Sequence, residues 1–483
     1  MNLLLVLNLT GAVLLIASVF MVPPVLISWF DGGSDFVPLV IMFLASVFAG
    51  LFMFVFTNKQ NGGAEFKHRD GFIVVTLSWV TIAFFGSLGY YLSGFFPGFT
   101  DAYFESISGF TTTGASVLSD IEALPRGLLL WRSLTQWMGG MGIIVFSLAI
   151  LPMLGSGGMQ MFKAEVPEIT VERLQPRIVD TAKALWLIYA TLTLAATLSY
   201  LAAGMNLYDS FCHAFTTLST GGFSTKNRSI AQFENPLIDS LVTLFMFLGG
   251  VNFSLYFYVL RKDFSRFYRS VEFRFYLSVT LVAVVLIVVS VMSTNYRSVF
   301  ASTRYAFFQV VSVMTTTGYA TADWELWNAF PQALLVFLMF FGGMIGSTGG
   351  GMKQVRILVM LKQSYREIYQ LIHPHAFTQV KLDGKSIPKE VLGGIWGFLF
   401  LFIFVSFIAS LGMTAAGVDM ITAVTTVISS MSNVGPALGQ AGPAENYAGI
   451  PIAGKWLLML CMLIGRLEIY TVIILFVPHF WKK

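Results

Sequence analysis

Long apolar stretches recur along the whole chain, near residues 3–29, 36–57, 72–93, 128–152, 182–204, 237–260, 275–293, 332–361, 391–416 and 453–478. Most approach or exceed the roughly 20 residues needed to cross a hydrocarbon core of about 30 Å. The pattern therefore predicts an all-α integral membrane protein of about ten spans. Four shorter apolar segments lie between some of these, near 101–112, 208–219, 303–316 and 418–431. As helices they reach roughly 20 Å, enough to enter half of a membrane and no more.

Each short segment runs into a polar, glycine-containing stretch. Aligned on their glycines, the four read "GFTTTGAS" at Gly114, "TTLSTGGFST" at Gly221, "VMTTTGYAT" at Gly318 and "SMSNVGPALG" at Gly435. A unit of span, half-length helix, polar stretch and span thus repeats four times. The predicted divisions are two N-terminal spans in 1–66 and pore units in 67–160, 161–270, 271–380 and 381–483. Non-helical backbone survives at membrane depth only where it is buried in protein or lines a watery cavity. Four such stretches in pseudo-fourfold arrangement around one axis meet that condition together. Their carbonyls would replace the water shell of a dehydrated cation, and each half-helix would turn its partially negative C-terminus toward the same axis. Small hydroxylated residues also let helices pack closely, but that reading does not account for four copies at matching places.

Composition agrees with burial in lipid. Hydrophobic residues make up 56% of the 483, charged residues only 11%, and mean hydropathy is +0.75. Lys and Arg then set the orientation, because cytoplasmic loops carry their excess. One set of loops holds "NKQNGGAEFKHRD" (58–70), Lys163, Arg173 and Arg177, "RKDFSRFYRSVEFR" (261–274), the 353–389 region and Lys482–Lys483. That set is expected inside, with both termini. The basic loops at 261–274 and 353–389 either dock a partner or simply satisfy this bias. The window from Leu3 to Ile27 lacks a basic leader and is expected to be a retained helix. Cys212 and Cys461 are isolated and the five histidines scattered, so no metal cluster is expected.

Two features lie on the far side of the polar stretches. Glycines recur in the closing helices, in "QWMGGMG", "FLGGVN", "FFGGMIG" and "MLIGRLE", and Arg466 aligns with Gly140, Gly250 and Gly343. An arginine within a span is costly and by default functional; here it would place a fixed positive charge in the pathway, as a barrier. The other reading is a buried ion pair, whose nearest candidate, Glu468, stands two residues away and so not on the same helix face. The third closing span carries "GGMIGSTGGGMK", with Gly342, Gly343, Gly346, Gly349, Gly350 and Gly351 around Ser347 and Thr348 and ending at Lys353. Glycine disfavours helix by about 1 kcal/mol per residue, so this span is expected to break around a loose loop suited to gating.

With these features in hand, the chain resembles the Trk/Ktr/HKT superfamily of potassium transporters, and within it the pore subunits of bacterial Trk uptake systems. The likeness rests on "TTTGAS", "GGFST", "GSTGGGMK" and "GRLE" in this order and covers essentially the whole chain. The two extra N-terminal spans favour the Trk branch. The resemblance implies potassium uptake in the bacterial cytoplasmic (inner) membrane by a homodimer with one pore per chain. It also implies a cytoplasmic ring of nucleotide-binding regulatory subunits, with NAD(H) and adenine nucleotides acting on that partner. This chain shows no nucleotide-binding fingerprint, so K+ is its only expected ligand, and nucleic acid is not an expected partner. Carried onto this sequence, the ion-binding filter comprises Thr112, Thr113, Gly114, Ser219, Thr220, Gly221, Thr316, Thr317, Gly318, Asn433, Val434 and Gly435. The 342–353 loop would be the gate and Arg466 the barrier. Some plant relatives that favour sodium have serine in place of the first filter glycine; all four positions here are glycine. The fourth copy, "SNVG", lacks the Thr-Gly pair.

Other classes fit less well. Secondary transporters built on broken helices usually show inverted halves, whereas these units share one orientation. An enzyme needs convergent acids, bases or metal ligands, and the apolar spans offer none.

Overall fold

A computed structural model describes residues 2–58, 68–149, 178–376 and 378–482. Among them, six helices are long and apolar enough to cross a membrane: Leu3–Asp31, Phe36–Thr57, Arg69–Leu92, Thr181–Ala202, Val271–Met292 and Lys389–Ala415. A seventh crossing is added if the bent pair Pro236–Gly249 and Phe253–Val259 forms one span. The only strands among the described residues are a small antiparallel ribbon, Lys381–Leu382 with Lys385–Ser386. The chain is an all-α integral membrane protein. The "NKQNGGAEFKHRD" loop up to Lys67, with Lys163, Arg173, Arg177, Lys483 and the divisions at 66/67 and 160/161, lies outside the described residues.

Polarity is arranged to suit a lipid surround. Phe48, Val289 and Phe400 stand exposed on the long helices, while Glu105, Arg132 and most of the threonines and serines of the short segments are buried. Polar groups held in the interior of such a protein must find partners there, and the short helices are where they gather.

The four half-length helices form where the hydrophobic pattern places them: Phe99–Phe110, Leu207–Leu218, Val299–Met314 and Met420–Ser432. Asn206 and Asp419 cap two of them, accepting from the N–H groups of Asp209 and Thr422. Each short helix packs against the long helix before it and also against a helix of the neighbouring unit. Arg126–Ala149 packs on Leu207–Leu218, Pro236–Gly249 on Val299–Met314, and Ala329–Leu338 on Met420–Ser432. Finally Ile452–Arg466 packs on Phe99–Phe110, so the last unit returns to the first.

The closing helices depart from expectation. The third breaks as anticipated, between Leu338 and Gln354. The stretch 237–260, expected as one helix, is bent by 99° between Gly249 and Phe253. There Asn252 caps the N–H of Ser254, while the Gly250 carbonyl accepts from Met344 and the Phe253 N–H donates to Gly346, at 2.8 and 3.0 Å. The stretch 453–478 also breaks, ending one helix at Arg466 and starting the next at Ile469. Neither break contains proline; at the first, the third unit pairs the freed Gly250 and Phe253 backbone groups, and sequence periodicity does not register either break.

Candidate ion pathway

The residues after each short helix adopt one repeated backbone conformation. Thr112, Thr220, Thr316 and Asn433 have φ of 51, 53, 62 and 56°, and two residues later Gly114, Gly222, Gly318 and Gly435 have φ of 82, 78, 79 and 102°. The helix ends close in the same way. The N–H groups of Thr113, Gly221, Thr317 and Val434 donate to the carbonyls of Ser108, Thr216, Ser312 and Ser429 at 2.9, 2.9, 2.8 and 2.9 Å. One residue earlier, Thr112, Thr220, Thr316 and Asn433 donate to Gly109, Thr217, Val313 and Ser430. This double bond pattern is the Schellman ending, which usually places glycine in the left-handed position; threonine or asparagine holds it here.

This conformation corrects the sequence alignment by one residue in the second unit. The counterpart of Thr112–Gly114 is Thr220–Gly222, not Ser219–Gly221. Ser219 has φ −75° and belongs to the helix end. The "TGG" run offers two glycines, and only the backbone reveals which one takes positive φ.

The four segments close into a ring. A Cβ on Gly114 would stand 2.2 Å from the carbonyl oxygen of Gly221, one on Gly222 1.9 Å from that of Thr317, and one on Gly318 2.0 Å from that of Val434. A Cβ on Gly435 would stand 2.6 Å from the carbonyl oxygen of Thr113. Each glycine thus lies against the middle carbonyl of the next segment, and the fourth meets the first. Gly114, Gly222 and Gly318 keep some accessible surface although the two residues before each are buried. The Thr112 hydroxyl and Asn433 Oδ1 are buried oxygens with no hydrogen-bond partner among the described residues.

Most of the residues that hold this ring were not singled out by sequence reasoning. Gln136 donates from Nε2 to the Gly221 carbonyl at 2.7 Å and accepts from the Phe223 N–H at 3.0 Å. Glu105 and Arg132 form a buried ion pair at 2.7 Å. Arg132 also donates to the Ser224 carbonyl at 3.0 Å and lies 4.1 Å from the Phe223 ring, while Glu105 accepts from the Val117 N–H at 3.0 Å. One ion pair therefore spans the walls behind two segments. His213 Nε2 pairs with the Ser224 hydroxyl at 2.9 Å, and the Tyr447 hydroxyl donates to the Gly435 carbonyl at 2.5 Å. Asn433 Nδ2 donates to Thr113 Oγ1 and the Met462 carbonyl, both at 3.0 Å. The signal that could have found Glu105 and Arg132 is charge inside an apolar window.

Beneath the ring, the glycine-rich loop is packed rather than loose. Thr348 donates to the Leu218 and Gly249 carbonyls at 2.8 and 3.1 Å, and the Gly350 N–H donates to the Thr316 hydroxyl at 2.7 Å. Lys353 Nζ bonds the Gly349 carbonyl, Gln354 Nε2 the Gly342 carbonyl at 2.9 Å, and the Ile345 N–H reaches Glu272 at 2.8 Å. Gly343 lies against Gly250, Gly346 against Asn252, and Gly351 against Gly342, while Ser347 caps the Met344 carbonyl at 2.6 Å.

Arg466 is buried and donates to the carbonyls of Thr348 and Gly139 at 2.7 and 2.8 Å. Among the described residues its guanidinium forms no ion pair, and Glu468 instead pairs with Arg356 at 2.8 Å. The alignment of Arg466 with Gly343 is also corrected. Gly139, Gly249, Gly349 and Gly465 pack on their own unit's short-helix end, and Gly140, Gly250 and Gly350 on the next unit's. Arg466 follows Gly465, so its counterpart in the third unit is Gly350.

A ring of backbone carbonyls with a charged, packed layer beneath it is an arrangement for passing a cation, and the comparisons with known proteins decide the family. The model of the family described as "TrkH: Cation transport protein" matches residues 39–483. The chain belongs to this family. It is 40% identical to the Trk system potassium uptake protein TrkH of Halomonas elongata over 488 aligned positions, covering 100% of both chains. It is 39% identical to the protein of the same name from Escherichia coli K12, covering 88% of each. The crystal structure of the potassium transporter TrkH from Vibrio parahaemolyticus superposes with a TM-score of 0.91 at 35% identity, covering 100% of both chains. Membership makes this chain a transport protein rather than an enzyme. No group of three or more metal-ligating side chains occurs among the described residues.

Proposed function

We propose that the chain takes up potassium across the bacterial cytoplasmic membrane through a single pore encircled by its four filter segments. The observation that carries this reading is the closed ring in which Gly114, Gly222, Gly318 and Gly435 each abut the next segment's carbonyl. Carbonyl rings strip a cation of its water at low cost, the buried oxygens of Thr112 and Asn433 have no donor among the described residues, and the named relatives are potassium transporters.

The chain then comprises ten crossings: two N-terminal spans in 1–66, and four pore units in 67–160, 161–270, 271–380 and 381–483, with both termini cytoplasmic. The filter is Thr112–Gly114, Thr220–Gly222, Thr316–Gly318 and Asn433–Gly435, with Ser219 a helix-end support. The loop through Gly342–Lys353 gates, and Arg466 is a fixed positive barrier below the filter. Two chains pair, each with its own pore, and a cytoplasmic ring of nucleotide-binding subunits regulates them, NAD(H) binding there and not here.

Uptake of K+, Rb+ and Na+ into liposomes containing the purified chain tests the reading. Potassium and rubidium are expected to enter in preference to sodium, and Gly114→Ser to erase that preference. Equal uptake of all three by the parent chain overturns the proposal.

A further inference from the structure

The loop 342–353 is anchored at a second place, just beyond its end. Arg356, in the first turn of Gln354–Ile372, is buried; its guanidinium pairs with Glu468 at 2.8 Å and lies 4.1 Å over the ring of Phe398. Phe398 belongs to Lys389–Ala415, and Glu468 sits at the break that follows Ile452–Arg466. Arg356 also donates to the Met352 carbonyl of its own unit at 3.3 Å, but its ion pair and its ring contact both lie on the fourth unit.

The two breaks share a backbone geometry. Lys353 has φ 70° and ψ 136°, Glu468 has φ 65° and ψ 136°, and each directly precedes a helix. A side-chain-bearing residue in such a conformation is uphill and persists where its surroundings hold it. The Arg356–Glu468 pair spans from one of these points to the other. Two residues before Glu468, Arg466 holds the Thr348 carbonyl within the loop. The stretch 466–468 therefore grips the loop in its middle and immediately past its end.

We infer that the Arg356–Glu468 ion pair is a latch that keeps the loop 342–353 seated under the filter and must part before ions pass. The inference rests on the reading of that loop as the gate. To leave the axis, the loop has to turn about Lys353, the residue that joins it to the following helix. Arg356 lies on the first turn past that pivot, so its side chain is drawn away from Glu468 as the turn begins. Movement of Glu468 in the other direction also carries Arg466 off the Thr348 carbonyl. Arg356 and Glu468 act on the loop through their contact with each other; they are positioning residues that set how readily the path opens.

The test measures rubidium uptake and thermal unfolding for the full-length variants Arg356→Gln, Glu468→Gln and the double variant in liposomes. All three are expected to raise uptake about tenfold, the scale set by losing one charge-assisted contact. The double variant should leak no more than either single one, because each opens the same contact. A purely structural pair behaves otherwise. A lone buried charge destabilises, and removing both partners relieves the damage, so uptake would return to the parent level in the double variant along with the unfolding temperature. Parent-level uptake in the folded double variant overturns the latch, whatever the single variants do. A variant shortened at Gly349–Gly351 separates the two ideas. If it leaks while the latch variants do not, the latch alone fails; if it too conducts like the parent, the gate reading falls.

Discussion

Threonine in the left-handed region of backbone space is uphill, yet three of the four segments proposed as the filter place one there and the fourth uses asparagine. The cost is met by two backbone hydrogen bonds at each helix end and by the glycine two residues later, whose missing Cβ lets the next segment's carbonyl close in. The second unit tests this at single-residue resolution. Gly222 has φ 78° and no room for a Cβ beside the Thr317 carbonyl, whereas Gly221 has no positive φ and faces the end of the Gln136 side chain rather than backbone. Gly222→Ala is expected to lower potassium uptake at least about tenfold, from the penalty of roughly 1–2 kcal/mol for an L side chain in that region plus the clash. Gly221→Ala is expected to be milder. Paired uptake and selectivity measurements on the two variants check the register, and the reverse order of severity would restore the alignment on Gly221.

At the scale of elements, the short helices owe their existence to the sequence and their position to buried charge. Their lengths and ends follow from apolar runs that stop at Thr-Thr-Thr-Gly or its variants, and these were legible. The Glu105–Arg132 pair was not, because a periodicity argument assigns both residues to helices without saying that the helices face each other. Breaking that pair by Arg132→Met leaves Glu105 buried and unpaired, and is expected to cost about 3–5 kcal/mol of stability. The double variant Glu105→Gln, Arg132→Met should recover a good part of it. Thermal unfolding in detergent of the two variants provides the comparison, and equal losses in both would argue against a charge-burial cost. Breaks in the closing helices divide in the same manner. Six glycines announced the third, while the bend before Phe253 goes with backbone bonds lent by the third unit and the end at Arg466 with a side chain held by carbonyls of other units.

Across the whole molecule, the arrangement closes on itself. Lys455, near the start of the last closing helix, is buried and bonds Asp101 of the first short helix at 2.6 Å, and the Tyr447 N–H donates to the Ser116 carbonyl at 2.8 Å. Arg304 and Asp239 make a similar inter-unit pair at 2.8 Å between the second closing helix and the third short helix. Lys455→Met is expected to lower the unfolding midpoint by several degrees, since removing one partner of a buried pair costs roughly 3 kcal/mol or more. Ion selectivity of the folded fraction should hold, because the hydrogen bonds of Lys455 go to Asp101 and Ala448, outside the proposed filter. A selectivity change without a stability change would mean that closure reaches the filter more directly than these contacts indicate. The chain's own pattern was enough to establish membrane residence, the half-length helices, the recurrence of the polar stretches and the interrupted third closing helix, because each depends on the order of apolar and polar residues within one segment. Only the folded arrangement decided the register of the second glycine-containing segment, the partners of Arg466 and Glu468, and the closure of the fourth unit on the first. Those depend on which atoms of distant segments approach one another, and local periodicity carries no information about that distance.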